Sequence, residues 1–209
     1  MNKTKKRILT ASRELFNEKG FSDVTIRMIA SALGMSSGNL NYHYKKREDI
    51  LEALYFEMVE VFDERIKQLG QREISLPMVK EDIINSLKRM IDYRFIWTDL
   101  YNLLRLNAKI KEHFMSVYHE RTKGSSYLFE VLKTQGILKD FQFEKEADFL
   151  IDRMITYSNT WLYNSFIYEE EINESYVEGH AEKLMGMLYP YLSEEGKSQY
   201  KELFPALFK

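Results

Sequence analysis

The chain has 209 residues, of which 44% are apolar and 30% charged, and its formal net charge is −2. This balance excludes wholesale disorder, and the length fits one or two domains of ~100–200 residues. The lack of cysteine excludes a disulfide scaffold, a thiolate metal site and a cysteine nucleophile.

Only 9 Gly and 3 Pro punctuate the chain, too few for the many turns of an all-β fold, so long helices are expected. The longest uncharged run, Met154 to Tyr168, has 15 residues and includes Ser, Thr and Asn. A membrane helix needs ~20 mostly apolar residues, so no membrane span is expected. Arg13 and Glu14 interrupt any signal-peptide core behind the basic N-terminus. These features imply a soluble, cytoplasmic protein.

Charge is unevenly distributed. Residues 1–50 hold ten Lys/Arg and five Asp/Glu, a net of +5, which leaves −7 for the remainder. A basic segment on an acidic body suggests a nucleic-acid contact at one end, against the plainer alternative of a chance imbalance on a solvated surface.

In chain order, Ile8, Ala11, Leu15 and Phe16 recur at helical spacing and Gly20 follows as a stop. Thr25 is an N-cap for a second helix bearing Ile26, Ile29, Ala30 and Leu33, which Gly34 ends. Ser36 or Ser37 caps a short third helix that runs to about His43. Lys45, Lys46 and Arg47 form a polar break, and Glu48 and Asp49 favour the first turn of a fourth helix that stops near Gly70. Ser75 and Pro77 open a fifth helix. A sixth is predicted over about 95–106, a seventh over about 110–134 and an eighth over about 144–168. The Glu169-Glu170-Glu171 run reads as a solvated helix end. A ninth helix is predicted over about 174–189, and a short tail helix after Ser198.

The first three helices, with a Gly-containing turn between the second and third, form a helix-turn-helix pattern. Gly34 supplies the positive φ such a turn needs. Ile26, Ile29, Ala30, Leu33, Met35 and Leu40 can pack inward, which leaves Ser37, Gly38, Asn39, Asn41, Tyr42 and His43 outside. Short polar side chains, a permissive glycine and amphipathic rings suit base edges and phosphates in a major groove. His43 reads as a DNA-facing or phosphate-facing residue rather than a pH switch or metal ligand.

These residues resemble the tetracycline-repressor (TetR) family of transcriptional regulators. Ile8-Leu9, Ala11, Leu15-Phe16 and Gly20-Phe21 are similar to the family's first helix, and Val24 to Ala30 to its second. Gly34 to Tyr44 resembles its turn and recognition helix, and Lys45 to Leu51 its entry into the fourth helix. The likeness covers about residues 5–55 in one continuous register. Asn41 departs from the aromatic residue many members carry, and Arg47 from the usual Lys. The resemblance implies an all-α chain with a helix-turn-helix domain over residues 1–50 and a larger helical domain over 51–209 that binds a ligand and dimerises. It implies DNA contacts from Thr25, Arg27, Ser36, Ser37, Gly38, Asn39, Asn41, Tyr42, His43, Lys46 and Arg47, with the last clamping phosphate at the start of the fourth helix.

Sixteen of the 29 aromatic residues lie between Tyr93 and Tyr168. Residue by residue, filling a helical core is the simpler reading. Yet many Tyr and Trp in one bundle also fit a pocket with a few orienting groups, with Trp97, Tyr101, Tyr118, Tyr127, Tyr157 and Trp161 as candidate lining. Phe143, Ala147, Leu150, Met154, Tyr157 and Trp161, and then Val177, Ala181, Leu184 and Leu188, recur at steps of four and three. With the resemblance, these stripes imply a homodimer seam.

No zincin motif, phosphate-cradling loop or serine elbow occurs, so neither catalysis nor a cofactor is indicated. The expected function is a sequence-specific regulator of double-stranded operator DNA, released as a repressor by an apolar or aromatic small molecule. The alternatives are a DNA-binding or interaction protein without a ligand, and a helical enzyme.

Overall fold

The computed structural model describes residues 3–69, 72–168 and 172–208, with side chains from 64 to 69 excepted. Two expectations, the helix stop at Gly70 and the solvated Glu169–Glu171 run, lie outside the described residues. Among these residues there are eleven α-helices and no strand. They are α1 (Lys3–Lys19), α2 (Ile26–Ala32), α3 (Ser37–His43), α4 (Arg47–Leu69), α5 (Leu76–Asp92), α6 (Arg94–Thr98), α7 (Leu100–Leu106), α8 (Ala108–Thr134), α9 (Glu146–Tyr168), α10 (Glu174–Gly186) and α11 (Glu194–Leu203).

Three expected helices differ in detail. The span predicted over 95–106 divides into α6 and α7 at Asp99, whose backbone (φ −133°, ψ 26°) leaves the helical region. The ninth ends at Gly186 and gives way to a 3-10 turn, Tyr189–Tyr191, which contains Pro190. The tail helix starts earlier than expected, at Glu194, because the Ser193 hydroxyl accepts from the Gly196 N–H and closes its first turn.

The chain packs as two compact units. The first joins residues 1–70 with 89–114, and the second joins 71–88 with 115–209. This partition differs from a cut at residue 50, because the segment around α6 packs onto α1. Phe16 meets Phe95 at 5.2 Å, and Asn17 clasps the same segment. The Asn17 amide donates to the Asp92 carbonyl (2.9 Å) and accepts from the Phe95 N–H (3.2 Å), while Arg94 Nε donates to the Asn17 carbonyl (3.0 Å). The Tyr93 hydroxyl donates to Glu57 on α4 and accepts from Arg13 on α1. Burial and the Glu57 carboxylate raise the Tyr93 pKa, so this phenol stays a donor.

The second unit has its core around α9 and α10. Leu150, Trp161, Leu162, Ala181 and Leu184 are buried there. Each fully buried leucine contributes roughly 1.5–3 kcal/mol. Val177, Ala181, Leu184 and Leu188 were expected in a seam between subunits, but they are at most 4% exposed in the single chain. The apolar period found a face that is already buried within the single chain. Residues 136–139 pair with 191–193: Lys139 N–H donates to the Tyr191 carbonyl and Ser193 N–H to the Ile137 carbonyl. Gly196 fits against this pairing because a Cβ there would stand 2.3 Å from the Ile137 carbonyl oxygen.

Candidate nucleic-acid interface

The helix-turn-helix is set by local chemistry. Gly20 (φ 81°) ends α1, and Gly34 (φ 64°) makes the turn between α2 and α3 in a conformation that side chains with a Cβ rarely adopt. Thr25 Oγ1 accepts from the Met28 N–H (3.3 Å), and Ser36 Oγ from the Asn39 N–H (3.1 Å). Both hydroxyls thus cap helices and keep their own proton and a second lone pair for an outside partner. Ile29, Ala30 and Leu40 are buried and hold α2 and α3 inward.

The opposite face of α3 is bare. Gly38, Asn39, Asn41 and Tyr42 are exposed, Tyr42 to 85%, while Ser37 and His43 are half-buried. Thr25, Arg27, Ser36 and Lys46 are also exposed. This surface offers two amides, hydroxyls, a phenol and cations, with no apolar side chain larger than the Tyr42 ring among the residues named. Its chemistry can donate to and accept from base edges and bind phosphate.

Lys5 was counted in the basic imbalance but not as a site residue. Its ammonium lies 5.6 Å from the centre of the Tyr44 ring, which places the basic start of α1 beside the end of α3. Only a pair so distant in sequence brought together by folding reveals this, although Lys3, Lys5, Lys6 and Arg7 already mark the stretch as basic.

Arg47, expected at phosphate, is engaged within the protein. Its Nη1 donates to the carbonyls of Phe21 (2.9 Å), Ser22 (2.9 Å) and Val24 (2.7 Å), and its guanidinium lies 4.2 Å from the centre of the Phe21 ring. Nη2 stands 3.8 Å from Glu48, and the side chain is 24% exposed. The group expected to clamp phosphate is occupied by the protein's own backbone. Lys46, beside it, is exposed, and its N–H donates to Asp49 Oδ2 (3.1 Å) at the start of α4.

The expected ligand-pocket residues divide between the two units. Trp97 and Tyr101 belong to the first unit, and Tyr118, Tyr127, Tyr157 and Trp161 to the second. Tyr101 and Tyr127 are 71% and 66% exposed, so they line no closed cavity in the single chain; Arg105 covers the Tyr101 ring at 5.5 Å. Trp97 is buried beside Phe114, and its indole N–H has no hydrogen-bond partner. Tyr118 donates to Asp152 across α8 and α9.

Tyr157 and Trp161 come together around a histidine of α10. His180 on α10 is 7% exposed and shares a hydrogen bond with the Tyr157 hydroxyl through Nδ1. Its ring packs on Trp161 (5.0 Å) and Tyr176 (4.6 Å), and Nε2 has no partner. Burial, with the Lys183 charge added, lowers the His180 pKa to about 4, and burial pushes the Tyr157 phenol up to about 12. Both are neutral near pH 7. Among the described residues, no three His, Asp or Glu side chains converge as a metal site. No helix among them is long and apolar enough to cross a membrane.

The sequence matches the family model described as bacterial regulatory proteins of the tetR family over residues 8–54, and the model described as a bacterial transcriptional repressor over residues 57–200. It is 23% identical over 151 residues to the probable HTH-type transcriptional regulator YttP of Bacillus subtilis (strain 168), covering 70% of this chain and 68% of that protein. Among solved structures, a TetR-family transcriptional regulator from Marinobacter aquaeolei VT8 superimposes with a TM-score of 0.87, at 23% identity and over 97% of both chains. A protein from Saccharomonospora viridis, solved in complex with choline, superimposes with a TM-score of 0.71 at 20% identity, over 93% of this chain and all of that one. A bare, polar recognition helix and family models that together reach from residue 8 to residue 200 lead to one assignment: the chain belongs to the TetR family of DNA-binding bacterial transcriptional regulators.

Proposed function

We propose that the chain is a cytoplasmic, homodimeric repressor that a small molecule releases from its operator. The observation that carries this reading is the exposed face of α3, where Asn39, Asn41 and Tyr42 stand free on a scaffold fixed by two caps and two positive-φ glycines. Residues 1–50 hold DNA, and the rest of the chain dimerises and senses the ligand. Ser37, Asn39 and Asn41 read base edges, since Asn can pair bidentately with adenine. Thr25, Arg27, Ser36, Tyr42, His43 and Lys46 hold the phosphate backbone, and Gly38 lets α3 approach the duplex.

Support for dimerisation comes from the end of α9. Tyr163, Phe166 and Ile167 are about half exposed on the single chain, at 49%, 46% and 53%. Apolar area of this kind on a helix is a surface for a second copy. Support for a ligand comes from a buried polar atom without a partner, His180 Nε2, and from the choline complex of a structural neighbour. Such an atom orients a ligand otherwise held by apolar and aromatic contact. Ligand and DNA then favour different members of one ensemble, and each weakens the other by the same factor.

Selection of bound sequences from random double-stranded DNA tests the reading. Two half-sites related by a twofold axis are the expected result, and binding without sequence preference would refute it. Light scattering should give a dimer at micromolar concentration. An apolar, aromatic or quaternary-ammonium compound library should contain a molecule that lowers operator affinity.

A further inference from the structure

We propose that Arg47 is a positioning residue that straps the start of α4 to the connector between α1 and α2, and thereby sets the aim of α3. The inference rests on the DNA-binding reading above and gives this residue a different part in it.

In the connector, residues 20–25, the Thr25 carbonyl accepts from the Ile29 N–H of α2, and the carbonyls of Phe21, Ser22 and Val24 face Arg47. Phe21 and Val24 are buried, at 1% and 0% exposure. Carbonyls held near a buried chain need donors. Arg47 brings a single nitrogen to the carbonyls of Phe21, Ser22 and Val24, and lays its plane against the Phe21 ring. The Phe21 ring in turn meets Phe16 of α1 edge-on at 5.1 Å. One residue later along the connector, Thr25 caps α2. Arg47 is itself the first residue of α4. A single side chain therefore joins α4, the end of α1 and the start of α2.

To reach a phosphate, the guanidinium would have to leave all three carbonyls and the aromatic face. The exposed Lys46 next to it has no such engagement, which makes Lys46 the backbone cation. Lysine could not replace Arg47 in the strap. Its ammonium has donors for the carbonyls but no flat face to stack on Phe21 at the same time.

The experiment measures affinity for the selected operator at several salt concentrations, well below the melting temperature, for the full-length protein. Lys46→Ala is the reference for a phosphate contact and should reduce the magnitude of the log–log salt slope by roughly one unit. Arg47→Ala should weaken operator binding about tenfold or more with the slope unchanged. Arg47→Lys, which keeps the charge, should weaken it similarly, and it serves also if the alanine variant is too unstable to assay. A slope reduced by about one unit in Arg47→Ala and restored in Arg47→Lys would make Arg47 a phosphate clamp and overturn the proposal. So would wild-type affinity in both folded variants, because a purely structural strap lowers the melting temperature but not the binding of molecules that are folded. If the unmodified protein selects no sequence at all, the DNA-binding reading fails first, and Arg47 is not the reason.

Discussion

The N-terminal three helices and the second packing unit use polar side chains in opposite directions. In α1–α3 and their attachments, polar groups reach for backbone: Thr25 and Ser36 cap helices, Asn17 clasps residues 92–95, and Arg47 gathers three carbonyls. On α3, Asn39, Asn41 and Tyr42 are left over, point outward and are bare. In the second unit, polar groups face one another. Arg121 pairs with Ser158 and Asn159, and Tyr157 with His180. Backbone straps make a rigid support for an outward surface. Inward polar pairs cost desolvation, and that cost is recovered only if every partner is present. The first arrangement suits a partner that meets a surface, and the second suits one that enters.

The contrast should be sharpest in folding stability. Trp161→Ala empties a site that is 0% exposed and should cost roughly 3–5 kcal/mol in chemical denaturation. Tyr42→Ala, at a position 85% exposed, should change stability by less than about 0.5 kcal/mol while weakening operator binding. Equal destabilisation by the two would end the distinction. Next in size is Gly196→Ala. A Cβ at that position meets backbone, 2.3 Å from the Ile137 oxygen, so residues 136–139 must move. The expected loss is roughly 1–3 kcal/mol, and an unchanged melting temperature would show that the pairing with residues 191–193 yields freely.

His180 tests whether the inward polar pairs carry a pH cost. Its folded pKa, about 4, lies below the ordinary 6.5. Below pH 6.5 the unfolded chain takes up a proton that the folded chain refuses until about pH 4. Stability is therefore complete above 6.5 and is lost as pH falls through that window. The limiting slope is about 1.4 kcal/mol per pH unit, so at most about 2 kcal/mol is lost from this group between pH 6.5 and about 5. In His180→Phe, stability should fall less steeply over the same range. Identical slopes in denaturation at pH 7 and 5 would mean that the ring is protonated in place.

The two regions also differ in what the sequence discloses. Gly20, Thr25, Gly34 and Ser36 act within a few residues of themselves, so the bounds of α1–α3 and the positive φ of both glycines follow from local chemistry. The Ser193 cap is a signal of the same kind, strengthened by Glu194 and Glu195 in the first turn, and it could have placed the start of α11. The division at Asp99 has no Gly or Pro to announce it. The period of Val177, Ala181, Leu184 and Leu188 marks a face to be buried, but periodicity carries no information about whether the cover is another subunit or the same chain. Arg47 shows the limit most directly. Its charge and place at a helix start suit phosphate, and nothing local in the sequence announces that residues 21–24 return to its side.

The smallest expected effect separates support from surface at a single atom. Gly38 lies early in α3, is exposed, and has no positive φ to require glycine. A Cβ there would meet only Ser36 Oγ, at 3.9 Å, an ordinary contact. For the protein alone, glycine is then a poor choice, because it loses more backbone freedom in a helix than alanine does. Gly38→Ala should stabilise the folded chain by about 0.5–1 kcal/mol. On DNA the sign should reverse, since the added methyl group occupies the space between α3 and the duplex. Operator affinity should fall while the salt slope stays the same, for no charge has changed. Melting curves and operator titrations on one preparation read both effects. A variant that is more stable and binds as tightly would show that Gly38 does not abut the duplex, and the recognition face would then have to be drawn from Asn39, Asn41 and Tyr42 alone.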